Sequence, residues 1–194
     1  EVSSIIKDNK KTVVIGGEHL VSLPIIEAYV EKYPGLHVVQ FDAHADLRDE
    51  FIGEKLSHAT VMRRVFEKLS GNLWQFGIRS GPKEEFVFAD KNTNFHPFSL
   101  DGVDTIFESV GSDPVYLTID IDVLDPSIIP GTGTPEAGGI NFRELLDGLV
   151  KMQKLSIVGA DIVELSPHYD QSGVSTSAVC KVLRELLLLM VKEK

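Results

Sequence analysis

The sequence predicts an α/β fold, a mainly parallel sheet with helices on both faces, on three observations. Short apolar runs that read as strands alternate with longer stretches that read as helices, the pattern of repeated βα units. Turn and capping residues punctuate these segments at helix-length and strand-length intervals. Three of the strands run into clusters of ionisable residues: Gly16-Gly17-Glu18-His19, Asp42-Ala43-His44-Ala45-Asp46 and Asp120-Ile121-Asp122. Ligands gather outside the carboxyl ends of strands in open parallel sheets, so the clusters fall where this fold class puts a site.

The elements follow in order. Thr12 to Ile15 reads as a strand, and Val21 to Tyr33 as a helix with Pro24 in its first turns, where proline is tolerated. Leu36 to Phe41 is the next strand, and Ser57 to Leu69 a helix with Ser57 as its candidate cap. Leu73 to Ile78 is a strand, Lys83 to Ala89 a short helix, Phe95 a brief strand, and Asp101 to Val110 a helix. Val115 to Ile119 is the central apolar strand. The Gly- and Pro-rich stretch from Asp125 to Gly139 is a long loop of the kind that often carries function. Asn141 to Met152 is helical, Ser156 to Ile162 a strand, and Thr176 to Lys192 a long terminal helix.

Composition narrows the class. The chain has 194 residues, 43% hydrophobic and 25% charged, which suits one compact soluble domain. Its formal net charge of −10 argues against nucleic acid, whose binders carry a basic patch. Cys180 is the sole cysteine, so no intrachain disulfide forms; its neighbours Val179, Val182 and Leu183 read as a packed helix. The longest apolar run, Leu186 to Val191, falls far short of the ~20 residues a membrane span needs. No signal peptide is visible, and a cytoplasmic location is expected. Residues 1–194 are read as a single domain; the chain opens at Glu1 in mid-helix style, so an amino-terminal portion is expected to precede it.

On an extended chain, Asp42, His44 and Asp46 would share one face, as would Asp120 and Asp122. Four carboxylates crowded together repel one another as anions. Two divalent cations would neutralise them, which points to a two-metal hydrolytic site. His19 emerges where a strand gives way to a helix and joins them. Singly, each element has a plainer reading as a turn or helix cap; it is the recurrence after three apolar strands that favours metal. Carboxylates with two imidazoles and no thiolate suit Mn²⁺, and also admit Zn²⁺, Fe²⁺ or Co²⁺, whereas Ca²⁺ and Mg²⁺ prefer oxygen shells. His37, His96 and His168 are left out of the metal shell.

These clusters, together with Ser57-His58, Asp120-Ile121-Asp122-Val123-Leu124-Asp125-Pro126, Gly131-Thr132-Gly133-Thr134-Pro135-Glu136 and Asp161-Ile162-Val163-Glu164-Leu165-Ser166-Pro167, resemble the ordered motifs of the ureohydrolase (arginase/agmatinase) family. The resemblance runs from His19 to about Ser175. It implies a three-layer α/β/α sandwich and two Mn²⁺ per subunit. One ion would be held by His19, Asp42, Asp46 and Asp120, the other by His44, Asp42, Asp120 and Asp122, with Asp42 and Asp120 bridging. It also implies hydrolysis of a guanidino group to urea and an amine, by attack of a metal-bridging hydroxide on the guanidinium carbon. Glu164 matches the glutamate that accepts the guanidinium N–H fork, His58 a histidine that passes protons to the leaving amine, and Thr134 a pocket-lining residue. His58, Glu164 and Asp46 are thus the candidate catalytic residues, with Glu164, Thr134 and His58 binding substrate. The family also implies a homo-oligomer, a trimer or hexamer. The sequence departs from it at Ala59, where many members have glycine, and in lacking the strand and loops that usually precede the Gly-Gly-x-His motif.

The substrate is expected to be small and cationic. Leu47-Arg48-Asp49-Glu50 follows the Asp-x-His-x-Asp motif where arginases carry small polar residues, so the chain looks more like an agmatinase. Asp49, Glu50 or Glu136 would favour the distal amine of agmatine, while Arg48 in the pocket would favour a carboxylate tail, as in guanidinobutyrate. Further alternatives are a non-catalytic metal-binding relative and a zinc deacetylase-like hydrolase; the second fits poorly with six ligands, and the first with a complete ligand set.

Overall fold

The computed structural model describes residues 1–191. Six strands form one parallel sheet: β1 (Thr12–Ile15), β2 (His37–Phe41), β3 (Leu73–Phe76), β4 (Asn94–His96), β5 (Pro114–Asp120) and β6 (Ser156–Val163), in spatial order β1-β6-β5-β2-β3-β4. The helices are α1 (Val2–Lys7), α2 (Ser22–Lys32), α3 (Val61–Phe66), α4 (Lys83–Asn92), α5 (Ile106–Val110), α6 (Phe142–Lys151) and α7 (Val174–Val191). Strand alternation sends Val39, Phe41, Leu117 and Ile119 into a core shared with α5, α6 and α7. It sends Val38 and Tyr116 into a second core shared with α1 to α4. The result is the three-layer α/β/α sandwich that the sequence predicted.

From β2 the chain moves outward through β3 to β4, and from β5 it moves the other way to β6. The strand order therefore reverses between β2 and β5, and a crevice opens at their carboxyl ends.

Several elements differ from expectation in detail. The segment from Ser57 onward starts as a 3₁₀ turn, His58–Thr60, and its α-helix ends at Phe66. Ser57 and Thr60 face each other as a capping box at its start, with the Thr60 hydroxyl accepting the Ser57 amide at 3.0 Å. Helix α6 starts as the sequence suggests: Asn141 Oδ1 accepts the amides of Arg143 and Glu144, and Glu144 Oε2 accepts the Asn141 amide. Such a reciprocal box contributes about 1 kcal/mol. Cys180 is exposed rather than packed. The buried stripe of α7 runs through Val179, Val182, Leu186 and Met190, at helical spacing, and Cys180 lies outside it. Lys192, the expected end of this helix, lies outside the described residues. Among the described residues, no helix is long and apolar enough to cross a membrane.

Candidate metal centre and substrate cavity

The clusters do converge, but not by strand alternation. Strand β2 ends at Phe41, so residues 42–46 are loop, and Asp46 adopts a left-handed backbone, φ 54°. Asp122 lies in a 3₁₀ turn, Ile121–Val123, whose amino end is capped by Asp120: Oδ1 accepts the Asp122 amide at 2.9 Å. His19 opens another such turn, which follows the Gly-Gly pair and is capped by the Glu18 side chain. A Cβ on Gly16 would lie 2.5 Å from Val21 Cγ2, so only glycine lets the chain fold this closely over β1.

Two sets of side chains bring ligand atoms close enough to hold a cation: His19, Asp42 and Asp46, and Asp42, His44 and Asp122. His19 Nδ1 lies 3.1 Å from both Asp42 Oδ2 and Asp46 Oδ2, and 3.4 Å from Asp120 Oδ2. His44 Nδ1 lies 3.0 Å from Asp122 Oδ2 and 3.6 Å from Asp42 Oδ1. Asp42 thus turns one oxygen toward each set. Asp120 turns Oδ2 toward His19, and its Oδ1 serves the turn. His37, at the opposite end of β2, pairs with Asp113 at 3.8 Å, and His96 stacks on Phe76.

The donor chemistry fits a cation. His19 Nδ1 is fully buried without a hydrogen-bond partner, although three carboxylates surround it. Its tautomer follows from a proton count. The Thr118 hydroxyl donates to Asp161 Oδ1 at 2.6 Å, so its oxygen accepts from His19 Nε2 at 2.9 Å. In the neutral imidazole Nδ1 then keeps a lone pair, as a metal ligand requires. Without a cation, burial opposes charge on His19, but the carboxylates of Asp120, Asp42 and Asp46 win and raise it well above its ordinary value, so the proton held there is one a metal would displace. Asp161 Oδ2 accepts the Tyr116 hydroxyl at 2.8 Å.

Electrostatics agree. Burial, then the charge of Asp42, pushes the Asp46 carboxyl up to about 7. Burial and the neighbouring Asp122 and Asp42 push Asp120 up as well. Burial opposes charge on His44, yet hydrogen bonds to Asp122 and Asp42 win and push it up to about 12. Burial also works to raise Asp42, but both histidines outweigh it and hold that carboxyl low. Without a cation the cluster therefore keeps protons that a divalent ion would displace.

The sequence reading missed the layer beneath. Gln75, Gln40, Thr118 and Asp161 stand in register across β3, β2, β5 and β6. Gln75 Nε2 donates to Gln40 Oε1 at 2.6 Å, and Gln40 Nε2 to Asp42 Oδ2 at 2.7 Å. A signal was present: Gln40 and Thr118 each sit two residues before an aspartate, on the same face of their strand. Arg79 was also missed. Its guanidinium donates to the carbonyls of Asp122 and Glu136, both at 2.7 Å, and so ties the long loop after β5 to the site.

The chain matches the arginase family profile over residues 1–189. It belongs to the arginase family. It is 46% identical to an agmatinase of Bacillus cereus, over 98% of this chain and 68% of that protein. It is 34% identical to a guanidinobutyrase of Pseudomonas aeruginosa, over 91% of this chain and 59% of that one. A solved Clostridium difficile structure superposes with a TM-score of 0.95 at 48% identity, covering 97% of this chain and 70% of that one. The chain is thus a hydrolase of the kind that acts on guanidino compounds, with its own groups positioned for metal.

In this arginase-family chain the cluster opens into a cavity of roughly 220 Å³, small beside the usual ~300–1,000 Å³ of drug-sized sites. His58, Thr134 and Glu164 line it. Glu164, at φ 65°, follows β6 directly; Oε1 accepts the His19 amide at 2.8 Å, and burial raises its carboxyl. Thr134 Oγ1 lies 3.3 Å from Asp122 Oδ2. His58 is exposed at the rim, edge-on to Phe51. Arg48 and Glu136 also face the cavity, but Asp49 and Glu50 do not line it. Asp49 instead pairs with Arg64 at 2.8 Å, which removes it as a partner for a distal amine.

Proposed function

We propose that this chain hydrolyses agmatine to putrescine and urea, with two Mn²⁺ held by His19, Asp42, Asp46 and Asp120 and by His44, Asp42, Asp120 and Asp122. The observation that carries this reading is Asp42, whose two oxygens face two histidines on the floor of a small acidic cavity. Similarity to the Bacillus cereus agmatinase supports the substrate.

When bound, the pair of ions offsets the carboxylates and supplies water activated near neutral pH. Glu164 has one oxygen committed to the His19 amide and offers the other to the guanidinium N–H groups. Thr134 steadies Asp122. His58, at the rim, carries the proton to the leaving nitrogen. The balance closes: the C–N bond to the leaving amine breaks, water gives its oxygen to urea, and both of its protons end on the leaving nitrogen, which departs as an ammonium carrying the guanidinium's positive charge.

A guanidinobutyrase is the second reading, favoured by Arg48 on the cavity wall and by the Pseudomonas aeruginosa relative. Urea release from the Mn²⁺-loaded protein separates the two. Agmatine is expected to give the highest kcat/KM, and arginine, with its unpaired α-carboxylate, a value lower by on the order of 10³-fold. Guanidinobutyrate as the best substrate would favour the second reading, and no urea from any of the three would reject both. By family resemblance the protein is a homo-oligomer, which light scattering would test.

A further inference from the structure

Among the residues lining the cavity, Arg48 is the sole arginine or lysine. A free cation on that wall would attract a carboxylate tail and repel an ammonium one. Arg48 is not free. Its Nε lies 3.6 Å from Glu85 Oε2, and its guanidinium sits over the Phe51 ring, 5.0 Å from the centroid. Glu85 reaches the cavity from α4 and is only 6% exposed. Its Oε1 accepts the Leu47 amide at 2.8 Å. Gly81 leaves room for Oε2, which a Cβ there would meet at 2.9 Å. The carboxylate is therefore held beside Arg48 by the backbone on one side and by packing on the other.

We propose that Glu85 is a specificity-determining residue: by neutralising Arg48 it makes the cavity select guanidino compounds that end in an amine over those that end in a carboxylate. The inference rests on the guanidino-hydrolase reading of the same site. With the pair intact, the wall carries no net charge, and Glu136, the lining acid used neither for metal nor for the guanidinium, leaves the cavity attractive to a second cation. Removing the Glu85 charge alone turns the wall positive. Because Glu85 is buried, solvent screens the pair less than it would a surface pair. The sequence gives no hint of this, since Glu85 lies far from Arg48 along the chain and is brought to it by α4.

The test uses Glu85→Gln, which keeps an acceptor for the Leu47 amide, alone and combined with Arg48→Ala. For wild type and both variants, kcat/KM is measured with agmatine and with 4-guanidinobutyrate, and the affinity of each compound is measured by calorimetry. Glu85→Gln is expected to raise the preference for guanidinobutyrate over agmatine by about tenfold or more in both readouts. Adding Arg48→Ala should return the ratio toward the wild-type value. If Glu85 only braced the loop, both compounds would lose equally and Arg48→Ala would restore nothing, which overturns the proposal. A shifted binding ratio without urea release would uphold the role of Glu85 while rejecting the hydrolase reading. Absence of binding by either compound would overturn both.

Discussion

Asp42 and Asp46 are neighbours in one loop, yet the structure gives them different tasks. Asp42 has one oxygen in each ligand set, whereas Asp46 faces only His19. Asp42→Asn is therefore expected to weaken both metal positions, and Asp46→Asn mainly one; Mn²⁺ titration with elemental analysis would read two ions lost in the first and one in the second. Asp46 also sets a pH dependence. Its carboxyl titrates near 3.8 when unperturbed and near 7 in the folded, metal-free chain. Across that window the folded chain holds a proton that the unfolded chain has released, so this group's contribution to stability falls as pH rises. The raised His44, at about 12, stays protonated in the folded chain, while the unfolded imidazole loses its proton around 6.5, so its contribution is full below that pH and declines as pH rises past it. The Tm of the metal-free protein is expected to drop between pH 4 and 7 from this source, and saturating Mn²⁺ to remove the drop. Adding Mn²⁺ in weak buffer near neutrality should release protons; a titration showing none would contradict the raised carboxyls.

At the scale of elements, the row Gln75, Gln40, Thr118 and Asp161 links four strands directly beneath the metal ligands. Thr118→Val keeps the shape but leaves His19 Nε2 without its acceptor and Asp161 Oδ1 without the Thr118 hydroxyl, while Tyr116 still donates to Oδ2. We expect a loss of metal affinity of about 10–100-fold, read by Mn²⁺ titration, with a smaller effect on the folded state measured by thermal melting. Gly16→Ala is a purely steric counterpart. Its Cβ would meet Val21 and Val163, so the turn carrying His19 must shift, at a cost of about 1–3 kcal/mol. A stability change near zero would mean that the turn is softer than its packing indicates.

For the whole molecule, the cluster couples metal to folding. Four carboxylates buried at the reversal between β2 and β5 are poorly tolerated as bare anions. Mn²⁺ at 100 times its dissociation constant is expected to stabilise the fold by about 2.7 kcal/mol per site, visible as a concentration-dependent Tm; a Tm indifferent to Mn²⁺ and lowered by no chelator would refute the coupling.

Much of this was legible along the chain. The alternation of apolar runs and helical segments determined the α/β class, because burial on both faces of a parallel sheet demands continuous apolar strands. The strand ends at Ile15, Phe41 and Asp120 marked the site, because a parallel sheet points all its carboxyl ends the same way. The ligand types were legible too, as acid and imidazole carry their chemistry wherever they stand. Tertiary structure alone decided how they meet. The left-handed turn at Asp46 and the capped turn at Asp122 replaced the strand alternation that the sequence suggested, because tight loop geometry depends on partners such as the Asp120 side chain and the Ala43 amide. It also decided that Asp49 faces Arg64 while Glu85 pairs with Arg48. Such pairings join residues from different elements, and local sequence holds no record of the distances that packing sets between them.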